Sequence, residues 1–175
     1  MSSREKTVTA IFFAASIASV FFLVTGTANY TEFYKAVGQL EAKILSVDLS
    51  IKERQVDLTL VFSMTNPTSY RGLELREISY ALQYEDDEAK ISLVTDTLLF
   101  ATNPITIDPF WNRTFERQQI LNIDSLPQIQ KQATLRFIEL HRTQQGRIKW
   151  VLDCTAILLT FVDTIDVPMT NQFQS

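Results

Sequence analysis

The sequence predicts a mostly β protein: an antiparallel β-sandwich of about seven strands with one added helix, preceded by a single N-terminal transmembrane helix. Three observations carry this. Residues 7–27 hold no charged side chain. From residue 44 onward, apolar residues recur with a period of two in one segment after another, separated by polar turns. One stretch, 124–145, breaks that period in favour of a helical one. The expected organisation is an anchor over 1–28, a partly helical juxtamembrane linker over 29–43 and a sandwich domain over 44–175.

The anchor is "TVTAIFFAASIASVFFLVTGT", long enough as a helix to cross a hydrocarbon core of roughly 30 Å. Arg4 and Lys6 precede it and the next basic residue is Lys35. The positive-inside tendency therefore keeps the N-terminus cytoplasmic and exports the β domain. Gly26-Thr27-Ala28 would also suit the cleavage site of a signal peptide, but the apolar run is longer than a usual signal core, which favours a retained anchor. Ala10, Ala14 and Ala18 recur every four residues, and small residues on one face permit close approach of an integral-membrane protein partner. Ala and Ser are also common in such helices that have no partner.

In the linker, Phe33, Val37, Leu40 and Ile44 are spaced as one helix face, weakened by Gly38. Tyr30, Phe33 and Tyr34 lie just past the apolar run, where aromatic rings favour the membrane interface.

The period then changes to two. Leu45, Val47, Leu49 and Ile51 alternate with Ser46, Asp48 and Ser50 in a first strand, and Lys52 to Gln55 form a polar turn. Val56, Leu58, Leu60, Phe62 and Met64 share one parity of a second, so the pair reads as a hairpin. Segments 73–84 and 90–101 read as the third and fourth, around the acidic loop Glu85 to Glu88. A short strand near Ile105 and a longer one over 113–121 follow. In the long strand over 147–161, Ile148, Trp150, Leu152, Cys154, Ala156 and Leu158 are in register, and "TIDVPM" closes the chain's last pair. Between the sixth and seventh strands the helix over 124–145 is capped by Asp124 or Ser125, has Pro127 in its first turn and ends at Gly146. Its expected apolar face is Leu126, Ile129, Ala133, Phe137 and Leu140.

The second strand runs straight into Asn66-Pro67. Proline has no N–H for a ladder and pushes the residue before it toward an extended conformation. The Asn side chain can then bond nearby backbone and hold the turn. Asn66 and Pro67 are therefore read as a structural strand terminator at a sandwich edge.

The stretch "VDLTLVFSMTNPTSYRGLELREISYALQY" resembles the central signature of the late-embryogenesis-abundant group 2 family, also called the water-stress-and-hypersensitive-response (WHy) domain. That signature is an alternating strand, Asn-Pro, a short polar loop and a strand in which Leu73, Leu75, Ile78, Tyr80 and Leu82 match the apolar positions. "ITIDPFWNRTFERQQI" is similar to the family's later turn and outer strand, and "WVLDCTAILLTFVDTIDVPM" to its closing hairpin. The resemblance covers about residues 44–170, and it departs from the family where Asp153-Cys154 stands near a usual Gly. It implies a fibronectin-III-like sandwich, often tethered by one N-terminal helix, with no catalytic residues to carry over. It further implies stress protection or, for membrane-anchored relatives, lipid binding or transfer.

The totals narrow the chemistry. Setting aside the first 30 residues leaves 14 of the 16 basic and 19 of the 20 acidic side chains, a mildly acidic domain that argues against nucleic acid. Cys154 is the only cysteine, so neither an internal disulfide nor a cysteine zinc site can form, and a small buried hydrophobe is the expected role. The four glycines build no phosphate-cradling loop, and no cofactor is expected. His141, the only histidine, falls near the predicted helix's end, where a cation is favourable, with no nucleophile motif beside it. The acidic run 85–88 lacks the spaced ligands and glycine of a calcium loop and reads as a solvated hairpin tip, and Asp163 and Asp166 carry no stronger signal. Asn29 and Asn112 begin glycosylation acceptor triplets; Asn112 is the better candidate because Asn29 lies too near the membrane. Phe110 and Trp111, two large aromatics in an expected loop, either plug the end of the sandwich or contact a membrane or partner.

The leading functional expectation is a non-enzymatic, membrane-anchored accessory or interaction subunit of a membrane assembly, in contact with membrane lipid. The alternatives are a lipid-binding module, with an acyl chain between the predicted helix and the sheet, and a stress protectant released by signal cleavage.

Overall fold

The computed structural model describes residues 3–86, 89–143, 148–159 and 164–174. Asp87, Glu88, Gly146 and Asp163 lie outside the described residues, so the full acidic tip and the glycine stop of the predicted helix do too. The chain divides into two units, Met1–Gly38 and Gln39–Ser175.

The first unit is one helix, α1 (Ser3–Gly38). Its stretch Thr7–Gly38 is long and apolar enough to span a membrane. Val8, Ile11, Phe12, Phe13, Phe21, Phe22 and Leu23 are exposed. The hydroxyls within it turn back onto the helix. Ser16 donates to the Phe12 carbonyl at 2.9 Å, Ser19 to Ala15 at 2.9 Å, Thr25 to Phe21 at 2.8 Å and Thr27 to Leu23 at 2.8 Å. A lipid-facing helix has no water to satisfy such groups, so self-satisfaction suits that environment. Gly38 ends the helix, and the first strand opens at Glu41, inside the segment expected to be linker.

Among its described residues the second unit is an antiparallel sandwich of eight strands in two sheets. One holds β1 (Glu41–Lys52), β2 (Gln55–Thr65) and β6 (Asn112–Asn122) in the order β1-β2-β6. The other holds β3 (Leu73–Asp86), β4 (Ala89–Leu99), β7 (Lys149–Leu159) and β8 (Thr164–Gln174) in the order β4-β3-β7-β8. The short β5 (Ile105–Ile107) pairs with Leu73 to Leu75 of β3. The even-numbered residues of β2, from Val56 to Met64, are buried as a period of two requires. Ile78, Tyr80, Leu82 and Tyr84 meet Ala156, Cys154, Leu152 and Trp150 across the β3–β7 ladder. Phe62 stacks with Phe115 at 5.3 Å and packs on Tyr80 at 5.5 Å, joining the two sheets.

Three irregularities redirect the faces. A bulge between Ile44 and Ser46 expels Leu45, which is half exposed rather than inward as its spacing suggested. A register shift between Leu75 and Glu77 moves β3 from odd to even inward residues. A third, opposite Leu82 and Gln83, leaves Leu93 and Val94 buried in succession.

The two flanks of the sandwich are closed by polar links. At one, the Ile44 N–H donates to Asn171 Oδ1 of β8 at 3.0 Å. At the other, Asp96 of β4 accepts from Arg117 and Gln119 of β6 at 3.2 and 3.1 Å and from the Tyr80 hydroxyl at 3.3 Å. Strand β8 forms an outer edge and carries the exposed Pro168 opposite Thr155.

Helix α2 (Gln128–Thr143) lies between β6 and β7, as expected, but with two corrections. Its first turn is closed by the Lys131 N–H on the Pro127 carbonyl at 2.8 Å. Asp124 and Ser125 do not cap it; their N–H groups donate to Asn122 in the preceding turn. The buried stripe is Thr134, Phe137, Ile138 and Leu140, while Ile129 is 85% exposed. Thr134 can take an inward place because its hydroxyl donates to the Gln130 carbonyl at 2.9 Å.

Candidate functional site

The ladders place the start of β1, the end of β2 and the start of β6 together, with Glu41 opposite Thr65 and Thr65 opposite Asn112. This end of the sandwich gathers the Asn66-Pro67 turn and the loop 108–111. Asn66 is fully buried and holds them to each other. Its N–H donates to the Trp111 carbonyl at 2.8 Å and its Nδ2 to the Asp108 carbonyl at 3.1 Å. Its Oδ1 accepts from the Thr68 N–H at 3.1 Å and the Thr68 hydroxyl at 2.7 Å. The side chain thereby satisfies backbone that the end of β2 at Thr65 leaves unpaired.

The neighbouring loop is bonded at each step: Phe110 N–H to the Thr68 carbonyl at 2.9 Å and Trp111 N–H to the Asp108 carbonyl at 3.2 Å. Phe110 sits at φ 55°, the one non-glycine residue in the left-handed region among those described. An aromatic residue there costs on the order of 1–2 kcal/mol relative to glycine. Its ring is 70% exposed, so Phe110 plugs nothing; Trp111 beside it is half-buried. Asn112, the glycosylation candidate, is exposed as the first residue of β6, whereas Asn29 lies within α1.

The packing candidates Ala10, Ala14 and Ala18 are exposed along α1. Tyr30 and Tyr34 join their hydroxyls at 3.1 Å on the same helix. His141 occupies the last turn of α2, its ring 6.1 Å from Phe137. Cys154 is buried, and burial, aided by the Asp153 carboxylate, pushes its thiol up to about 12. Among the described residues no group of three or more His, Cys, Asp or Glu side chains is placed to hold a metal.

The lipid-binding expectation concerns the space between α2 and the sheet, where the described residues pack together. Phe137 lies 5.4 Å from both Tyr84 and Trp150, and the Tyr84 hydroxyl donates to the Ala133 carbonyl at 2.8 Å. Arg136 clamps Asp86 at 2.6 and 3.3 Å. A depression of about 240 Å³ is lined by Glu85, Lys149, Trp150, Gln172, Phe173 and Gln174, a mainly polar set. Spacing in the sequence had no means of finding the Asp96–Arg117–Tyr80 cluster or the Arg136–Asp86 clamp. Their members come from separate elements and meet only once the register is set.

The geometry defines an antiparallel β-sandwich that follows a membrane-length apolar helix. No protein-family model matches the sequence, and no curated protein matches it. Among solved structures, an Arabidopsis thaliana protein determined in solution is similar over 77% of this chain and 80% of its own, at 16% identity and a TM-score of 0.51. A crystal structure of an Archaeoglobus fulgidus protein matches over 75% of this chain and 95% of its own, at 12% identity and a TM-score of 0.37. A Bacillus subtilis sporulation control protein matches over 77% of this chain and 48% of its own, at 10% identity and a TM-score of 0.34. The likeness to the first is one of fold alone, and the other two carry no argument.

Proposed function

We propose that this protein is a non-enzymatic, membrane-anchored β-sandwich of the late-embryogenesis-abundant group 2 kind, serving as an accessory or interaction subunit of a membrane assembly. The observation that carries the reading is α1. Its apolar side chains from Val8 to Val24 are exposed, and its hydroxyls bond its own backbone. A surface of this kind calls for lipid or another transmembrane helix. Arg4 and Lys6 ahead of the apolar run support a cytoplasmic N-terminus, with the sandwich on the exported side. The closed packing of Phe137 on Tyr84 and Trp150 weighs against an acyl chain beneath α2.

The test is gentle extraction from the native membrane followed by mass spectrometry of what stays bound. Stoichiometric protein partners are expected. A co-purifying lipid with no protein would move the reading to lipid handling. A chain beginning near Asn29 would replace the anchor with a cleaved signal and a released protectant.

A further inference from the structure

We propose, resting on the exported topology above, that Asn112 carries an N-linked oligosaccharide and that the first sugar of this glycan lies against the ring of Phe110.

The triplet Asn112-Arg113-Thr114 has the acceptor pattern, and so short a pattern also recurs by chance. The fold adds what the pattern lacks. Asn112 opens β6, and β6 is the outer strand of its sheet, beyond β2. Side chains alternate between faces along a strand, so Asn112 and Thr114 share the face opposite the buried Phe115. Glu116, Gln118 and Ile120 continue that face and are exposed with them, which leaves room for a bulky polar group. Arg113 stands on the other face, its guanidinium 5.7 Å from the centre of the Phe115 ring. Neither the Asn112 amide nor the Thr114 hydroxyl is hydrogen-bonded among the described residues. Asn66, Asn122 and Asn171, by contrast, each bond backbone through their side chains. Asn112 does no such work for the fold, and asparagine is a residue that strands disfavour. The other triplet, at Asn29, lies within α1, and its Thr31 hydroxyl is taken by the Thr27 carbonyl at 2.9 Å.

Phe110 gives the glycan a surface to lie on. Its ring is 70% exposed and its backbone sits at φ 55°, on a loop fastened to Thr68 and Asn66. Phe110 precedes Asn112 by two residues, so their Cα atoms lie within about 7 Å of each other. One face of a pyranose is a layer of C–H groups, and their positive edge suits the negative face of an aromatic ring. Such a contact takes the ring out of water while the sugar hydroxyls stay wet. Strain kept at an exposed aromatic residue then has a use, and the occupant is tied to the same chain.

The bond is made by transfer from an oligosaccharide carried on a polyprenyl diphosphate. Asn112 Nδ2 attacks the anomeric carbon, and a C–N bond replaces the C–O bond to phosphate. The polyprenyl diphosphate leaves with the electron pair of the broken bond, Nδ2 gives up a proton to solvent, and nothing is oxidised or reduced.

The full chain and its variants, expressed in the native cell, test this. Mass spectrometry is expected to find the peptide holding residue 112 heavier by an oligosaccharide that loses sugars stepwise on fragmentation. The peptide holding residue 29 is expected at its plain mass. Asn112→Gln and Thr114→Ala, both at exposed positions, should each abolish the added mass while the sandwich stays folded. The contact with Phe110 is read by a cycle of four chains, with and without Asn112→Gln, in the parent and in Phe110→Gly. The glycan is expected to raise the urea midpoint of the parent and not that of Phe110→Gly. Equal shifts in the two backgrounds would overturn the contact. A residue-112 peptide found only at its plain mass, in a chain whose sandwich is shielded from protease in sealed vesicles with the cytoplasmic face outward, would overturn the modification and leave the exported topology standing. A sandwich that protease digests in those vesicles would overturn the topology and this inference together.

Discussion

Asn66 shows at the scale of one residue why a strand ends where it does. Its amide donates to one loop and accepts from another, and all of this takes place out of water. Removing the amide leaves the Thr68 N–H without its partner and takes one of two donors from the Asp108 carbonyl, which keeps the Trp111 N–H. Asn66→Ala is therefore expected to cost about 1–3 kcal/mol, read as a lower urea midpoint at an unchanged slope. Phe110 carries the opposite expectation. Phe110→Gly relieves the left-handed backbone and removes a ring that packs on little, so stability should hold or rise by up to about 1 kcal/mol. Loss of more than that in the same denaturation would mean that the ring is structural after all. The Asn-Pro turn itself was legible in the sequence because proline's missing donor acts locally. The Thr68 and Asp108 partners were not, since Asp108 lies 42 residues away and reaches Asn66 only through the fold.

Helix α2 and the strands around it show which elements a linear pattern can resolve. Its existence and its place between β6 and β7 follow from a change of period, and period is a property of the sequence. Its buried face does not follow. Ile129 fits a helical stripe by spacing, yet the sheet takes Thr134, whose hydroxyl is satisfied within the helix. Phe137→Ala should accordingly cost about 3–5 kcal/mol, since the ring is fully buried between Tyr84 and Trp150. Ile129→Ser should fall within about 0.5 kcal/mol of the parent. Equal losses from the two would restore the face that the spacing suggested. The strands repeat the lesson. The alternation of β2 is visible in one dimension, whereas the bulge at Leu45 depends on how β1 pairs with β2. A run of four alternating apolar residues cannot announce that its first member is squeezed out.

For the whole sandwich, three buried acids share one direction of shift. Burial, reinforced by the Asp96 carboxylate, pushes the Tyr80 phenol up to about 12 from 10.0. Burial and the Asp86 charge do the same to Tyr84, and burial and Asp153 push the Cys154 thiol to about 12 from 9.0. Each folded value lies above the unfolded one. The neutral forms therefore support the fold below pH 9, and the support drains away as the unfolded chain ionises between about 9 and 12. Stability should fall across that window in urea titrations, and the share of tyrosinate absorbance that Tyr80→Phe and Tyr84→Phe remove should appear together with unfolding. If that share appeared well before the fold is lost, the burial of Tyr80 and Tyr84 would be contradicted.

Pro168 on β8 has an effect beyond the chain itself. A sandwich keeps outer strands whose backbone is open to any passing strand of another molecule. Strand β8 offers such a recruit a broken row, because position 168 has no hydrogen to give. A second β8 laid against it would lose a bond in mid-register, so neighbouring copies can crowd together along this edge without zipping into a continuous sheet.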